Sequence, residues 1–199
     1  MIIKALQVGN IGTNCYLVKT GNTLYIIDPG ADGKEIFSVI KQENLLSENC
    51  EVLFTHAHAD HIGAAGQLSE LLDISAFRLH PEDCGIYSSP DNGFPPFIPV
   101  AENLPQTVPY PDAPGDYDVL PTPGHSPGSV CLKFGELLFS GDTLFASSIG
   151  RTDFPGGSYD TLKKSLQKLT ALEGNFRVFP GHGEDTTLAF EKKTNPYMK

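Results

Sequence analysis

Eleven residues from Thr55 to Ala65, THAHADHIGAA, contain His56, His58, Asp60 and His61. Each of these side chains offers a lone pair to a divalent cation. Imidazole and carboxylate suit zinc, iron or manganese, and the absence of cysteine from the stretch speaks against a closed structural zinc site. An open, reactive centre is the better reading. His56 and His58 are two residues apart, so extended backbone points both to the same side, whereas Asp60 and His61 fall where the chain turns into a helix starting near Ile62. Two ligand pairs are thereby aimed at two neighbouring points. A solvated turn would account for a lone histidine. Three histidines and an aspartate, directly after the apolar run Val52-Leu53-Phe54, point instead to metal.

Further metal-capable side chains follow other predicted strands in the same way. His125 comes after Val119 to Thr122, Asp142 after Leu137 to Ser140, and His182 after Arg177 to Phe179. Glycine precedes each of the three, as Gly124, Gly141 and Gly181, which lets the backbone turn tightly beside a ligand. Loops at one edge of a sheet scaffold can hold such groups together. His80 also follows a strand, but Pro81 and two acids come next and no glycine precedes it, so it reads as a surface or helix-start histidine.

The elements that must position these groups can be read in order. Ile2 to Val8, Cys15 to Lys19 and Thr23 to Asp28 read as strands separated by turn signals at Asn10-Ile11-Gly12 and Gly21-Asn22. Lys34 to Gln42 has apolar residues at helical spacing, Glu51 to Thr55 is a strand, and Ile62 to Leu72 a helix. Ala76 to Leu79 is a strand, with a short helix from Pro81. From Ser89 to Asp116 the pattern is proline-rich and irregular, and Phe94-Pro95-Pro96-Phe97-Ile98-Pro99 is either a rigid surface loop or a cover over the site. Strands resume at Tyr117 to Thr122, Ser129 to Phe134 and Glu136 to Ser140. Helix Ser158 to Leu172, strand Phe176 to Phe179 and helix Thr186 to Lys193 complete the chain. Each half thus runs from strands into βα units.

With 199 residues, 40% hydrophobic content and no low-complexity linker, the chain fits one domain spanning residues 1–199. Lys4, Gln7 and Asn10 interrupt the apolar start before a signal segment or membrane span could form, so a soluble, unexported protein is expected. Cys15, Cys50, Cys84 and Cys131 lie 34 to 47 residues apart without a paired motif; reduced, mostly buried thiols and a cytoplasmic setting follow. A net charge of -10 without a basic run disfavours nucleic acid and anionic membranes as partners and leaves a small-molecule substrate. Oligomeric state is not legible.

The motifs THAHADHIG, TPGHSPGS, FSGDTLF and FPGHGEDT, in this order and spanning nearly the whole chain, resemble those of metallo-β-lactamase-fold hydrolases. The similarity is greatest to the hydroxyacylglutathione hydrolase (glyoxalase II) branch and its short forms. The resemblance implies an α/β (α+β) fold, an αββα four-layer sandwich, with a two-metal centre at one edge. His56, His58 and His125 would hold the first ion, Asp60, His61 and His182 the second, and Asp142 would bridge them. Asp60 would also be a possible proton relay. Two divalent ions, zinc first and iron or manganese as alternatives, can share a water, lower its pKa and present hydroxide to a small thioester.

The same resemblance places Arg151, nine residues after Asp142, where those hydrolases have a lysine that contacts glutathione. Arginine could clamp a carboxylate bidentately or pair with nearby Asp153. Full-length hydroxyacylglutathione hydrolases carry a further C-terminal helical region, whereas 17 residues follow His182 here. The ligand set also fits a persulfide dioxygenase-like oxidoreductase with one iron, a zinc lactonase or β-lactamase, and a non-catalytic metal-binding module.

Overall fold

Residues of alternate parity along the first strands enter different cores, and this sorts the molecule into layers. The structure is a computed structural model describing residues 1–113 and 115–199. Strands β1 (Ile2–Val8), β2 (Thr13–Thr20) and β3 (Thr23–Ile27) form an antiparallel meander. Helix α1 (Gly33–Gln42) then crosses over to β4 (Asn49–Leu53), which lies parallel to β3. Helices α2 (Ala59–Ile62) and α3 (Ala65–Leu71) cross to β5 (Ala76–Arg78), parallel to β4, and a one-turn helix α4 (Cys84–Tyr87) follows.

The second sheet has the same plan. Strands β6 (Asp118–Pro121), β7 (Val130–Phe134) and β8 (Leu137–Gly141) are antiparallel neighbours. After a small ribbon of β9 (Leu144–Phe145) and β10 (Ser148–Ile149), helix α5 (Tyr159–Ala171) crosses to β11 (Arg177–Pro180), parallel to β8. A two-residue strand β12 (Thr186–Thr187) caps the sheet and leads into α6 (Leu188–Thr194). A parallel step needs a crossover, and a helix supplies it in both halves.

Three apolar clusters fill the spaces between four layers. On β2, Cys15 and Leu17 pack with Ile36 and Ile40 of α1 and Leu68 of α3, while Tyr16 and Val18 face the other sheet. There they meet Val130, Leu132, Phe139 and Phe179, with the Tyr16 and Phe139 rings 5.1 Å apart edge to face. On the far side, Leu138 and Val178 pack against Leu162, Leu166 and Leu169 of α5 and Leu188 of α6. Helix, sheet, sheet, helix is the expected αββα sandwich.

The structure refines several element boundaries. The helix expected from Ile62 begins at Ala59 and is interrupted at Gly63-Ala64, so Asp60 and His61 sit on a separate helical turn. Close packing explains the break: a Cβ on Gly63 would collide with the Gly30 carbonyl, and one on Gly30 would collide with the Asp60 carbonyl. Strand β4 ends at Leu53, two residues before the expected Thr55. Thr186 and Thr187, read as the start of the last helix, form β12 instead. Cys15, Cys50 and Cys131 are buried free thiols and Cys84 is exposed. Among the described residues no helix is long and apolar enough to cross a membrane.

Candidate metal centre

Strands β6, β8 and β11 run in one direction, and the loops beyond their carboxyl ends carry His125, Asp142 and His182. The loop after β4 brings His56 and His58, and α2 brings Asp60 and His61. All seven predicted ligands converge. His125 Nε2 lies 2.8 Å from His58 Nδ1 and 3.2 Å from His56 Nε2. His61 Nε2 lies 3.3 Å from Asp60 Oδ2 and 3.4 Å from Asp142 Oδ1, and His182 Nε2 lies 3.1 Å from Asp60 Oδ2. Asp142 faces both groups: Oδ1 is turned to His61, while Oδ2 is 3.5 Å from His125 Nε2 and 3.7 Å from His182 Nε2. The ligand atoms fall into three overlapping sets, His56–His58–His125, His56–His61–Asp142 and Asp60–His61–His182.

The outward nitrogens show that the inward ones are free to donate lone pairs. His125 Nδ1 lies 2.7 Å from the Arg151 carbonyl, which can only accept, so this nitrogen carries the proton. His61 Nδ1 donates to Asp28 Oδ2 at 2.9 Å. The Thr55 hydroxyl donates to the same carboxylate oxygen at 2.7 Å and lies 3.1 Å from His56 Nδ1, which therefore donates to it. One carboxylate thus orients His61 directly and His56 through a hydroxyl, the arrangement that fixes tautomers in metal sites. Inside the cluster, His61 Nε2 and Asp142 Oδ1 are buried without a hydrogen-bond partner. Buried polar atoms aimed at a shared point fit a cation between them. A Cβ on Gly181 would strike Asp142 Oδ1 and the His61 ring, so glycine is required there.

Electrostatics agree with this fit. Burial, reinforced by neighbouring imidazoles, holds His56 well below the usual histidine range and lowers His58 to about 3, keeping both neutral. Against the effect of burial, His61 holds Asp142 at about 2, and His61 and His182 hold Asp60 below the usual carboxylate range. Burial likewise opposes charge on His61, yet Asp60, Asp142 and Asp28 raise it well above its ordinary value. The three carboxylates facing His61 thus favour positive charge at this point, which a cation between them would supply.

Asp28 and Asp83 are functional positions that the sequence did not disclose. Asp83, fully buried, accepts from Ala57 N at 3.0 Å, Ser126 Oγ at 2.7 Å and Gly128 N at 2.6 Å. It clips the His56–His58 loop to the His125 loop. Burial nevertheless pushes its carboxyl above the usual range. The available signal for Asp28 was its place directly before Pro29-Gly30; its left-handed backbone is a feature of the structure alone. For Asp83 there was none. His80 is the start residue of a 3-10 turn, its Nδ1 accepting from Glu82 N at 3.3 Å, away from the centre. The Arg151 side chain forms a bidentate pair with Asp153, both bonds 2.6 Å, and covers the Phe154 ring at 4.3 Å.

The sequence profile of the metallo-beta-lactamase superfamily matches residues 8–182, which include all seven converging side chains. The chain belongs to this superfamily. Among its metallo-beta-lactamase superfamily relatives, the chain is 34% identical to the probable metallo-hydrolase YqgX of Bacillus subtilis, with 98% of this chain and 96% of that one aligned. It is 34% identical to the hydroxyacylglutathione hydrolase GloC of Haemophilus influenzae, over 100% of this chain and 98% of the other. The crystal structure of TTHA1623 in a di-iron-bound form superposes with a TM-score of 0.88 at 36% identity, covering 98% of this chain and 99% of that chain.

Proposed function

We propose that the protein is a binuclear metal-dependent hydrolase of small thioesters, acting in the cytoplasm on a small-molecule substrate. The observation that carries this reading is Asp142, whose carboxylate faces both groups, Oδ1 towards His61 and Oδ2 towards His125 and His182. His56, His58 and His125 would hold one divalent ion, Asp60, His61 and His182 the other, and Asp142 both. Zinc is the first choice for this nitrogen and oxygen set, and iron and manganese suit it as well. Similarity to a protein named hydroxyacylglutathione hydrolase and to one solved with two irons supports the substrate class and the ion count.

When bound, the ions supply Lewis acidity and a water of lowered pKa, so neither a serine nor a cysteine nucleophile is needed. The chain's own residues orient the reaction. Asp60 Oδ2, which accepts the Thr13 hydroxyl at 3.2 Å and lies 3.1 Å from His182 Nε2, would be placed as a proton relay beside the ions. His182, 26% exposed, is the most open of the metal-facing side chains. Arg151 stands beside His125, and contact with an anionic thiol portion requires it to exchange its Asp153 partner.

Metal analysis combined with thioester hydrolysis tests this reading. Two ions per chain and oxygen-independent hydrolysis are expected, with His182→Ala lowering metal towards one ion and slowing hydrolysis about a hundredfold or more. A wild type that binds a single iron, consumes oxygen with glutathione persulfide and keeps that activity in His182→Ala would replace the hydrolase with an oxidoreductase.

A further inference from the structure

Beside the metal centre lies a cavity of about 400 Å³, within the range of small-ligand sites. Thr13 and Asp60, joined by a hydrogen bond, form the boundary it shares with the centre. One wall is the β1–β2 turn, with Val8 and Ile11; the other is the limb from Phe97 to Ala101. That limb belongs to the proline-rich segment and is fastened at its base. The buried Asn92 amide donates to the Ala101 carbonyl at 3.1 Å and accepts from Ala101 N at 2.9 Å. Phe94 and Ile98 exchange backbone hydrogen bonds of 2.7 and 2.9 Å, closing the loop above. Phe94 also packs edge to face on Phe154, which itself contacts the His58 ring at 4.9 Å. The segment therefore stands along the metal centre as a wall.

The lining decides what fits. Its apolar surface comes from Val8, Ile11, Ala31, Phe97, Ile98 and Val100, and its charged members are Asp32, Asp60 and Glu102, with no lysine, arginine or histidine. A carboxylate-bearing portion of a substrate, such as the peptide part of a glutathione thioester, meets like charge there. An uncharged hydrocarbon portion gains burial.

We infer that this cavity receives the acyl half of the thioester, and that the enzyme selects uncharged aliphatic acyl groups longer than lactoyl or acetyl. The inference rests on the thioesterase reading. The thiol half is left to the His58 and His125 side of the centre, where Phe154 and Arg151 stand outside the cavity. Each methylene that enters the cavity raises kcat/KM about fourfold until the space is filled.

Two measurements on the metal-loaded enzyme test it. The first compares kcat/KM for acetyl, hexanoyl and 6-aminohexanoyl thioesters of one thiol, in the wild type and in Ile11→Trp, which introduces bulk at a half-exposed turn. Hexanoyl is expected to exceed acetyl by at least tenfold and 6-aminohexanoyl by less, and Ile11→Trp to reduce the hexanoyl-to-acetyl ratio about tenfold. The second follows backbone amide chemical shifts on titration with S-hexyl-N-acetylcysteamine, a thioether that cannot be hydrolysed. Shifts at Ile11, Val100 and Ala101 are expected in the wild type and not at Val100 or Ala101 in Ile11→Trp. Hydrolysis with a flat chain-length profile, or a preference for the ammonium-bearing chain, overturns the cavity assignment and leaves the hydrolase intact. Cavity shifts without hydrolysis of any thioester support the cavity and defeat the hydrolase. No shifts at these amides defeat the cavity whatever the activity.

Discussion

Asp28 Oδ2 lies 2.9 Å from His61 Nδ1 and accepts the Thr55 hydroxyl at 2.7 Å, all three groups closed to solvent. This carboxylate touches no reacting atom, yet it sets the direction of imidazoles in both halves of the centre. Asp28→Ala is expected to weaken metal binding about 10- to 100-fold, read by chelator competition. Retained wild-type affinity would show that His61 and His56 orient themselves.

Asp142→Ala removes the side chain that faces both histidine groups and, on the binuclear reading, would leave two neighbouring cations repelling each other. Elemental analysis should find loss of both ions, and hydrolysis should disappear. His80→Ala should change neither. An Asp142→Ala protein with two ions and normal turnover would rule out a bridge.

Asp83→Ala strands three buried donors, the amides of Ala57 and Gly128 and the Ser126 hydroxyl. The expected loss is about 3 kcal/mol, a fall in Tm of roughly 6–12 °C. Calorimetry on the metal-free variant separates this effect from ion binding, and an unchanged Tm would show that the two loops are held by other contacts.

Alkaline stability depends on buried groups that hold their protons, among them the thiols of Cys50 and Cys131. Burial pushes Cys131 up to about 11 and Cys50 up to about 12, whereas both would ionise near 9.0 in the unfolded chain. Between these values the folded state keeps protons that the unfolded state has released, so stability is fully present below about pH 9 and falls as pH rises through about 11. For Cys131 the loss is on the order of 2 kcal/mol. Thermal melts at about pH 8 and about pH 11 check this, with the decrease expected to be smaller in Cys131→Ala. An identical decrease in the variant would assign it to other groups.

The seven converging side chains were legible because they follow strand ends, and a strand end is a local pattern. His56 and His58 also share a spacing, and Gly124, Gly141 and Gly181 mark the remaining turns. The groups that aim the ligands left no such trace: Asp28 acts on a residue 33 positions away and Asp83 on one 45 positions away. Neither pairing has a sequence period. The ribbon of β9 and β10 and the strand β12 went unread because two residues cannot display an alternation. The break between α2 and α3 is set by the Gly30 backbone, which no window around Ile62 contains.

Four of the seven metal-facing residues precede β5 and three follow β6, so the centre is divided between two lengths of chain that fold as matching units. Other polar links also cross this seam beside the centre, among them Val130 N to the Thr55 carbonyl at 2.9 Å, Asn14 N to the Gly181 carbonyl at 2.7 Å and the Tyr16 hydroxyl to the Pro180 carbonyl at 2.6 Å. A cation held from both sides acts as a latch, resisting separation of the halves in proportion to its concentration. Two fragments made by cutting between β5 and β6 would accordingly reassemble more tightly as the metal is raised, with the ion replacing the lost peptide link.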